Sequence, residues 1–178
     1  MKPYKTISKK VLYQNPYWRY CCDRIELPSG KAGEYHYVLT YGSSMIVAET
    51  DAGKFLMVRQ YRYTGNRESL EFPCGGVEEG STHDETARRE LAEETGFEAG
   101  MLKPIGGFNP CNGLLDEICR VYRARDLRPT GAHPDETESF ELAYLTESEI
   151  DAFIGNGTIW DGMTIAAWGI SKSCSASS

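Results

Sequence analysis

Short runs of apolar, aromatic and β-branched residues, broken by turn formers, fill the first third of the chain. They predict strands over Lys10 to Tyr13, Tyr17 to Leu27, Glu34 to Thr40, Ser44 to Glu49 and Lys54 to Tyr61. Pro28-Ser29-Gly30 and Asp51-Ala52-Gly53 supply turns between them. The period then changes. Thr82 is followed three residues later by Glu85, a capping-box pattern, and Gly96 supplies a stop, so a helix is predicted from about His83 to Thr95. Further strands are predicted near Leu102 to Phe108, Glu117 to Ala124 and Phe140 to Tyr144, then helices starting near Thr146 and near Asp161 to Thr164. The order of strands, helix, strands and helices fits an α+β fold, a mixed sheet covered by helices. The Ser-rich stretch from Ser171 to Ser178 reads as a frayed end.

The helix is unusual in its polar face. At about 100° per residue, Glu90, Glu93 and Glu94 fall within one sector of about 100°, beside Ala87 and Leu91, which would face the core. At a separation of about 5 Å and an effective dielectric near 20, each like-charged pair costs about 3 kcal/mol. Arg89, four residues before Glu93 and four after Glu85, can answer one of these charges but not the cluster. A hard cation with oxygen ligands, Mg²⁺ or Mn²⁺, relieves the rest.

Composition narrows the classes. A chain of 178 residues is expected to form one domain with a substantial core. No apolar run approaches the ~20 residues of a membrane-spanning helix, and MKPYKTISKK lacks the apolar centre of a signal peptide. A cytoplasmic protein is the expectation. The formal charge of −7 comes without a basic run, which argues against a nucleic-acid partner. Cys21, Cys22, Cys74, Cys111, Cys119 and Cys174 form no CxxC pair and read as reduced, mostly buried thiols. His36, His83 and His133 are scattered and read as solvated or structural.

The stretch from Gly75 to Phe97, ending in Arg89-Glu90-Leu91-Ala92-Glu93-Glu94-Thr95-Gly96-Phe97, resembles the Nudix box: glycine, five residues, Glu, seven residues, then R-E-U-x-E-E-x-G-U, with U apolar. The departure is Ser81, which stands where the family has a Glu that supports the helix and its arginine. Val58-Arg59-Gln60-Tyr61-Arg62 and Leu70-Glu71-Phe72-Pro73-Cys74-Gly75 look like signatures of the ADP-ribose pyrophosphatase branch. The segment Phe108-Asn109-Pro110-Cys111-Asn112-Gly113 is similar to that branch's F-Y-P-S-P-G pattern. It has Asn109 in place of an aromatic, and Asn112 in place of a proline used to label ADP-ribose specificity.

The resemblance implies an α/β/α sandwich with a mixed sheet over 43–172, a small N-terminal antiparallel sheet over 1–42 through which such enzymes form swapped homodimers, and a tail at 173–178. It implies metal-dependent hydrolysis of ADP-ribose or a related nucleoside-diphosphate sugar. A different nucleotide sugar such as GDP-mannose, or a noncatalytic sensor of the same fold, are the rivals. On the matching positions Glu90 and Glu94 are the principal metal ligands, Glu93 an auxiliary ligand, and the Cys74 carbonyl a further donor. Glu93 and Glu94 thereby serve catalysis, joined by Glu136 or Glu138 from a distant acidic loop, which would orient or deprotonate the attacking water. Arg62 is placed to fork onto substrate phosphate. Glu71 would contact ribose or an outer metal shell, or brace the glycine loop. Arg59, an odd number of positions from Arg62, would face the other way, into a surface salt bridge. Trp18, Tyr20, Tyr35 and Tyr37 are available for base stacking, but their alternation is that of any half-buried strand and reads first as core or dimer packing.

Overall fold

The computed structural model describes residues 3–130 and 141–175. A four-stranded antiparallel sheet comes first. It contains β1 (Lys5–Ser8), β2 (Val11–Gln14), β3 (Arg19–Glu26) and β4 (Ala32–Leu39). β4 pairs along the whole of β3 on one edge, while β1 and β2 share the other. The hairpin between β3 and β4 closes at Gly30, whose φ of 80° suits a residue without Cβ.

The main sheet follows with β5 (Ser43–Glu49), β6 (Phe55–Arg62), β7 (Arg67–Glu71), β8 (Cys74–Gly76), β9 (Phe97–Phe108), β10 (Cys119–Pro129) and β11 (Glu141–Leu145). Its order is β11-β6-β5-β10-β9, with β7 beside β6 and β8 beside β5. Only the β10–β5 pair is parallel among these described pairings, so the sheet is mixed. Among the described residues the helices are α1 (His83–Thr95), α2 (Glu147–Gly155) and α3 (Gly162–Ser175).

β5 shows why the layers form. Both of its faces are covered, so its apolar run is nearly unbroken rather than alternating. Met45 and Val47 enter one core with Phe55, Phe72, Ile150 and Trp168 under α2 and α3. Ile46 and Ala48 enter another with Leu56, Ala87 and Leu91 under α1. Phe55 meets Trp168 edge-on at 4.8 Å between ring centres. The result is the α/β/α sandwich with a small antiparallel sheet at its N-terminal side.

Several expectations shift. β1, β7 and β8 are extra strands that were too short, or too rich in Gly and charge, to show a period. β9 begins at Phe97, directly after the helix stop, rather than near Leu102. The C-terminal stretch is not frayed from Ser171: α3 continues to Ser175, because Ser171 is buried and its carbonyl and hydroxyl accept hydrogen bonds from Arg123 at 2.7 and 2.6 Å. The cysteines are free thiols as expected, but Cys111 is exposed and Cys22, Cys74 and Cys174 are only half-buried. Among the described residues no helix is long and apolar enough to cross a membrane.

Candidate active site

The sequence folds α1 into place from both ends. The Thr82 hydroxyl accepts from the Glu85 N–H at 3.2 Å, and the Glu85 carboxylate accepts from the Thr82 N–H at 2.8 Å. The Thr82 N–H and hydroxyl, both donated to the Glu85 carboxylate, hold that carboxyl below the usual carboxylate range. At the other end Gly96, with φ of 72°, returns its N–H to the Ala92 carbonyl. His83 locks the first turn to β5, its Nδ1 lying 3.0 Å from the Ser43 carbonyl and the Ser44 hydroxyl donating to the His83 carbonyl at 2.9 Å. Its role is structural. α1 therefore lies across β8, with Glu90 and Glu94, one turn apart, on the loop side.

Gly75 is glycine because of close approach: a Cβ there would overlap the Glu90 carboxylate. Glu94 is 6% exposed and accepts from the Cys74 N–H at 3.2 Å. A backbone donor thus fixes one oxygen of a buried carboxylate and leaves its orientation little freedom. Glu93 differs. It is exposed and pairs with Arg89 at 3.1 Å, outside the residues that line the cleft. The Arg89 guanidinium also meets Glu90 at 2.9 Å, Glu78 at 3.5 Å and the Gly76 carbonyl at 3.4 Å. Glu78 thus supplies Arg89 with an acidic partner in a chain that has Ser81 at the box's first acidic position.

These groups open onto a cleft of about 790 Å³ between the two sheets, also lined by Tyr17, Ser43, Gln60, Arg62 and Glu117. Arg62 is half-exposed and forks onto Glu71, Nε to Oε1 at 2.9 Å and Nη2 to Oε2 at 2.5 Å. The Glu71 hydrogen bonds raise the Arg62 pKa against the opposing effect of burial. Glu71 is 3% exposed and is committed to Arg62. Arg59 joins Glu68 at 3.4 Å and Glu141 at 3.7 Å, the surface salt bridges expected of it.

The Cys74 thiol packs against the core. Its hydrogen bond to Cys119, its burial and the nearby Glu94 and Glu90 carboxylates hold its pKa well above that of an ordinary thiol, so it stays protonated. The cleft thus brings together Glu90, Glu94, Arg62 and Cys74, with Glu71 behind Arg62 and Glu93 behind Arg89. Glu136 and Glu138 lie outside the described residues.

Sequence reasoning missed Glu117. It lines the cleft and accepts from the Ser43 hydroxyl at 2.5 Å. Only the parallel pairing of β10 with β5, which sets Cys119 opposite Ser43, brings it there. No local period marks it. Asn109, by contrast, is explained as a loop former: its side chain accepts from the Cys111 N–H at 2.9 Å and donates to the Leu115 carbonyl at 3.2 Å.

The donors fit a hard divalent cation. Glu90, Glu94 and Glu117 offer carboxylate oxygens to one cleft, and the missing Cβ at Gly75 leaves room for the Glu90 carboxylate.

A NUDIX domain model matches residues 40–163, and a nucleoside diphosphate sugar hydrolase N-terminal domain model matches residues 4–38. The chain is 33% identical over 165 residues to an ADP-ribose pyrophosphatase of Bacillus subtilis, covering 92% of this chain and 89% of that protein. It is equally 33% identical, with the same coverage, to a methanol dehydrogenase activator of Bacillus methanolicus. A crystal structure of an ADP compounds hydrolase superposes with a TM-score of 0.85 at 19% identity, covering 97% of this chain and 94% of the other, and shares its fold. With the box geometry in place and the domain match spanning most of the chain, the protein belongs to the Nudix hydrolase family.

Proposed function

We propose that the protein is a metal-dependent pyrophosphatase that hydrolyses ADP-ribose or a related nucleoside-diphosphate sugar to a nucleoside monophosphate and a sugar phosphate. The observation that carries this reading is the Glu90 carboxylate seated on Gly75, beside Glu94 tethered to the Cys74 N–H, in the same cleft as Arg62. Glu90, Glu94 and the Cys74 carbonyl would hold Mg²⁺, with Mn²⁺ as a substitute. The cation, when bound, polarises phosphoryl oxygens and lowers the pKa of water.

The chain's own residues do the rest. Arg62, braced by Glu71, presents its remaining guanidinium edge to diphosphate oxygens and fixes their orientation. Glu93 serves through Arg89, which holds Glu90 in position. Glu136 or Glu138 is proposed to accept the proton of the attacking water, and Glu117 is a further acceptor within the cleft. The similarity to the Bacillus subtilis enzyme and the match of the N-terminal segment to nucleoside diphosphate sugar hydrolases support the substrate class.

A second copy is the proposed partner. Tyr4, Ile7, Val11, Leu12, Tyr13 and Tyr17 are all exposed on or beside the N-terminal sheet. That much uncovered apolar surface suits a homodimer interface. A cytoplasmic location is consistent with six free thiols.

Turnover read as inorganic phosphate released by an added phosphatase from the monoester products tests the reading: ADP-ribose, GDP-mannose and other nucleoside-diphosphate sugars are compared with Mg²⁺, beside Glu94→Gln. Wild type should turn over at least one such diphosphate, with a loss of about 100-fold or more in the variant. Tight binding without turnover of any substrate offered would establish the sensor instead. Sedimentation of the purified chain checks the dimer.

A further inference from the structure

The outer face of the β3–β4 hairpin carries a group of side chains with metal-ligating chemistry, away from the hydrolytic cleft. Cys22 and His36 are direct cross-strand partners, and Glu34 follows on the same face two residues before His36. The Cys22 Sγ lies 3.6 Å from His36 Nε2, and the Glu34 carboxylate lies 3.7 Å from the same nitrogen. All three donor atoms lie within 4.8 Å of one another. None of the three residues lines the hydrolytic cleft.

We propose that Cys22, Glu34 and His36 form a zinc site that clips β3 to β4, distinct from the cation site of the cleft. The spacing fits tetrahedral zinc. A zinc–sulfur bond of about 2.3 Å and a zinc–nitrogen bond of about 2.05 Å, opened to a tetrahedral angle, separate S and N by about 3.6 Å. The hairpin already holds that separation. Glu34 must close a few tenths of an ångström on His36 and, from within 4.8 Å, up to about 1 Å on Cys22, and its exposed side chain is free to rotate.

The ring orientation is fixed from behind. Tyr20 Oη lies 2.8 Å from His36 Nδ1, and the two rings stack at 5.8 Å. With the Nδ1 proton donated to Tyr20, the Nε2 lone pair points toward Cys22, the arrangement in which a second partner orients a metal-ligating histidine. Thiolate, imidazole and carboxylate together select zinc over Mg²⁺, which takes oxygen ligands. The scaffold is two paired strands rather than a loop, so the ligands are pre-positioned. Three protein ligands leave the fourth position to water.

Titration of the full chain with Co²⁺ as a zinc surrogate, in millimolar Mg²⁺ to hold the cleft carboxylates, tests the site. Thiolate-to-cobalt charge-transfer absorption and tetrahedral ligand-field bands should saturate at one equivalent and disappear when zinc is added. Cys22→Ser should abolish the charge-transfer band while retaining Mg²⁺-supported turnover. Tyr20→Phe should keep the band but weaken binding about 10- to 100-fold, the usual effect of losing a histidine's supporting partner. A wild-type spectrum typical of six oxygen ligands, or a charge-transfer band that persists in Cys22→Ser, would overturn the proposal. Loss of turnover in a folded Cys22→Ser would overturn its separation from the cleft.

Discussion

Glu71→Gln is the sharpest perturbation of the cleft, because it keeps the side chain's shape and removes its charge. Glu71 is 3% exposed and its carboxylate bonds Arg62 through two parallel N–H donors. The substituted side chain could still accept one of those bonds through its amide oxygen, while its amide nitrogen would present N–H to a guanidinium N–H. A hydrogen bond to a charged group contributes about 1.5–3 kcal/mol. Arg62 is 43% exposed, so water recovers part of that loss. The net cost to stability should be about 1–2 kcal/mol, a fall in Tm of roughly 2–8 °C for a chain of this size. The same change frees the Arg62 fork. If Glu71 acts by holding Arg62 toward phosphate, kcat/KM should fall about 10- to 100-fold, which is about 1.4–2.7 kcal/mol of transition-state binding. A double-mutant cycle with Arg62→Ala then decides the route. Glu71→Gln should cost little more once Arg62 is gone. If the two losses simply add, Glu71 touches substrate or cation directly, and its reading as a brace for Arg62 is refuted.

Gly75→Ala places a methyl group on the Glu90 carboxylate. The carboxylate can swing aside, so Tm should change little, while isothermal titration should show divalent-cation affinity weakened tenfold or more. Thr82→Ala removes the α1 cap and should cost about 1 kcal/mol by urea unfolding. The Glu85 and Glu149 carboxyls are both held below their ordinary value of 4.5 by Thr82 and Thr146. Folded pKa values below the unfolded ones mean that this stability is fully present above about pH 4.5 and is lost as pH falls through the folded values. The Tm difference between wild type and Glu85→Gln should therefore be constant near neutrality and shrink on acidification below that point. Ser81→Glu should leave the ranking of substrates unchanged and alter stability by less than about 1 kcal/mol, because Arg89 already has Glu78 as an acidic partner. A reordered substrate panel in that variant would show that position 81 reaches the ligand.

The helix from His83 to Thr95 was legible in the sequence to the residue, because its start and stop are local. Thr82, Glu85 and Gly96 act within one turn of themselves. That Arg89 would meet a carboxylate four residues away was legible for the same reason, with Glu93 and Glu85 both open, as was the divergence of Arg59 from Arg62 on one strand. The acidic edge also called for a counter-charge, and Arg89 supplies more of it than expected, meeting both Glu90 and Glu93 rather than one carboxylate.

What the chain could not show by itself was which carboxylates meet. Glu94 is buried because β8 brings the Cys74 N–H to it, and Glu93, its neighbour, stays outside with Arg89. Glu71 and Arg62 are nine residues apart on adjoining strands, and although Glu71 stands opposite Val58 in the β6–β7 register, its carboxylate reaches the Arg62 guanidinium. Glu117 reached the cleft through the parallel pairing of β10 with β5, and Cys22 met His36 through the register of a hairpin. Local hydrogen bonding and periodicity determine where elements begin and which way residues face. Contacts between elements depend on strand order and register, which are set by packing the two cores on either side of β5, and no single segment carries that information.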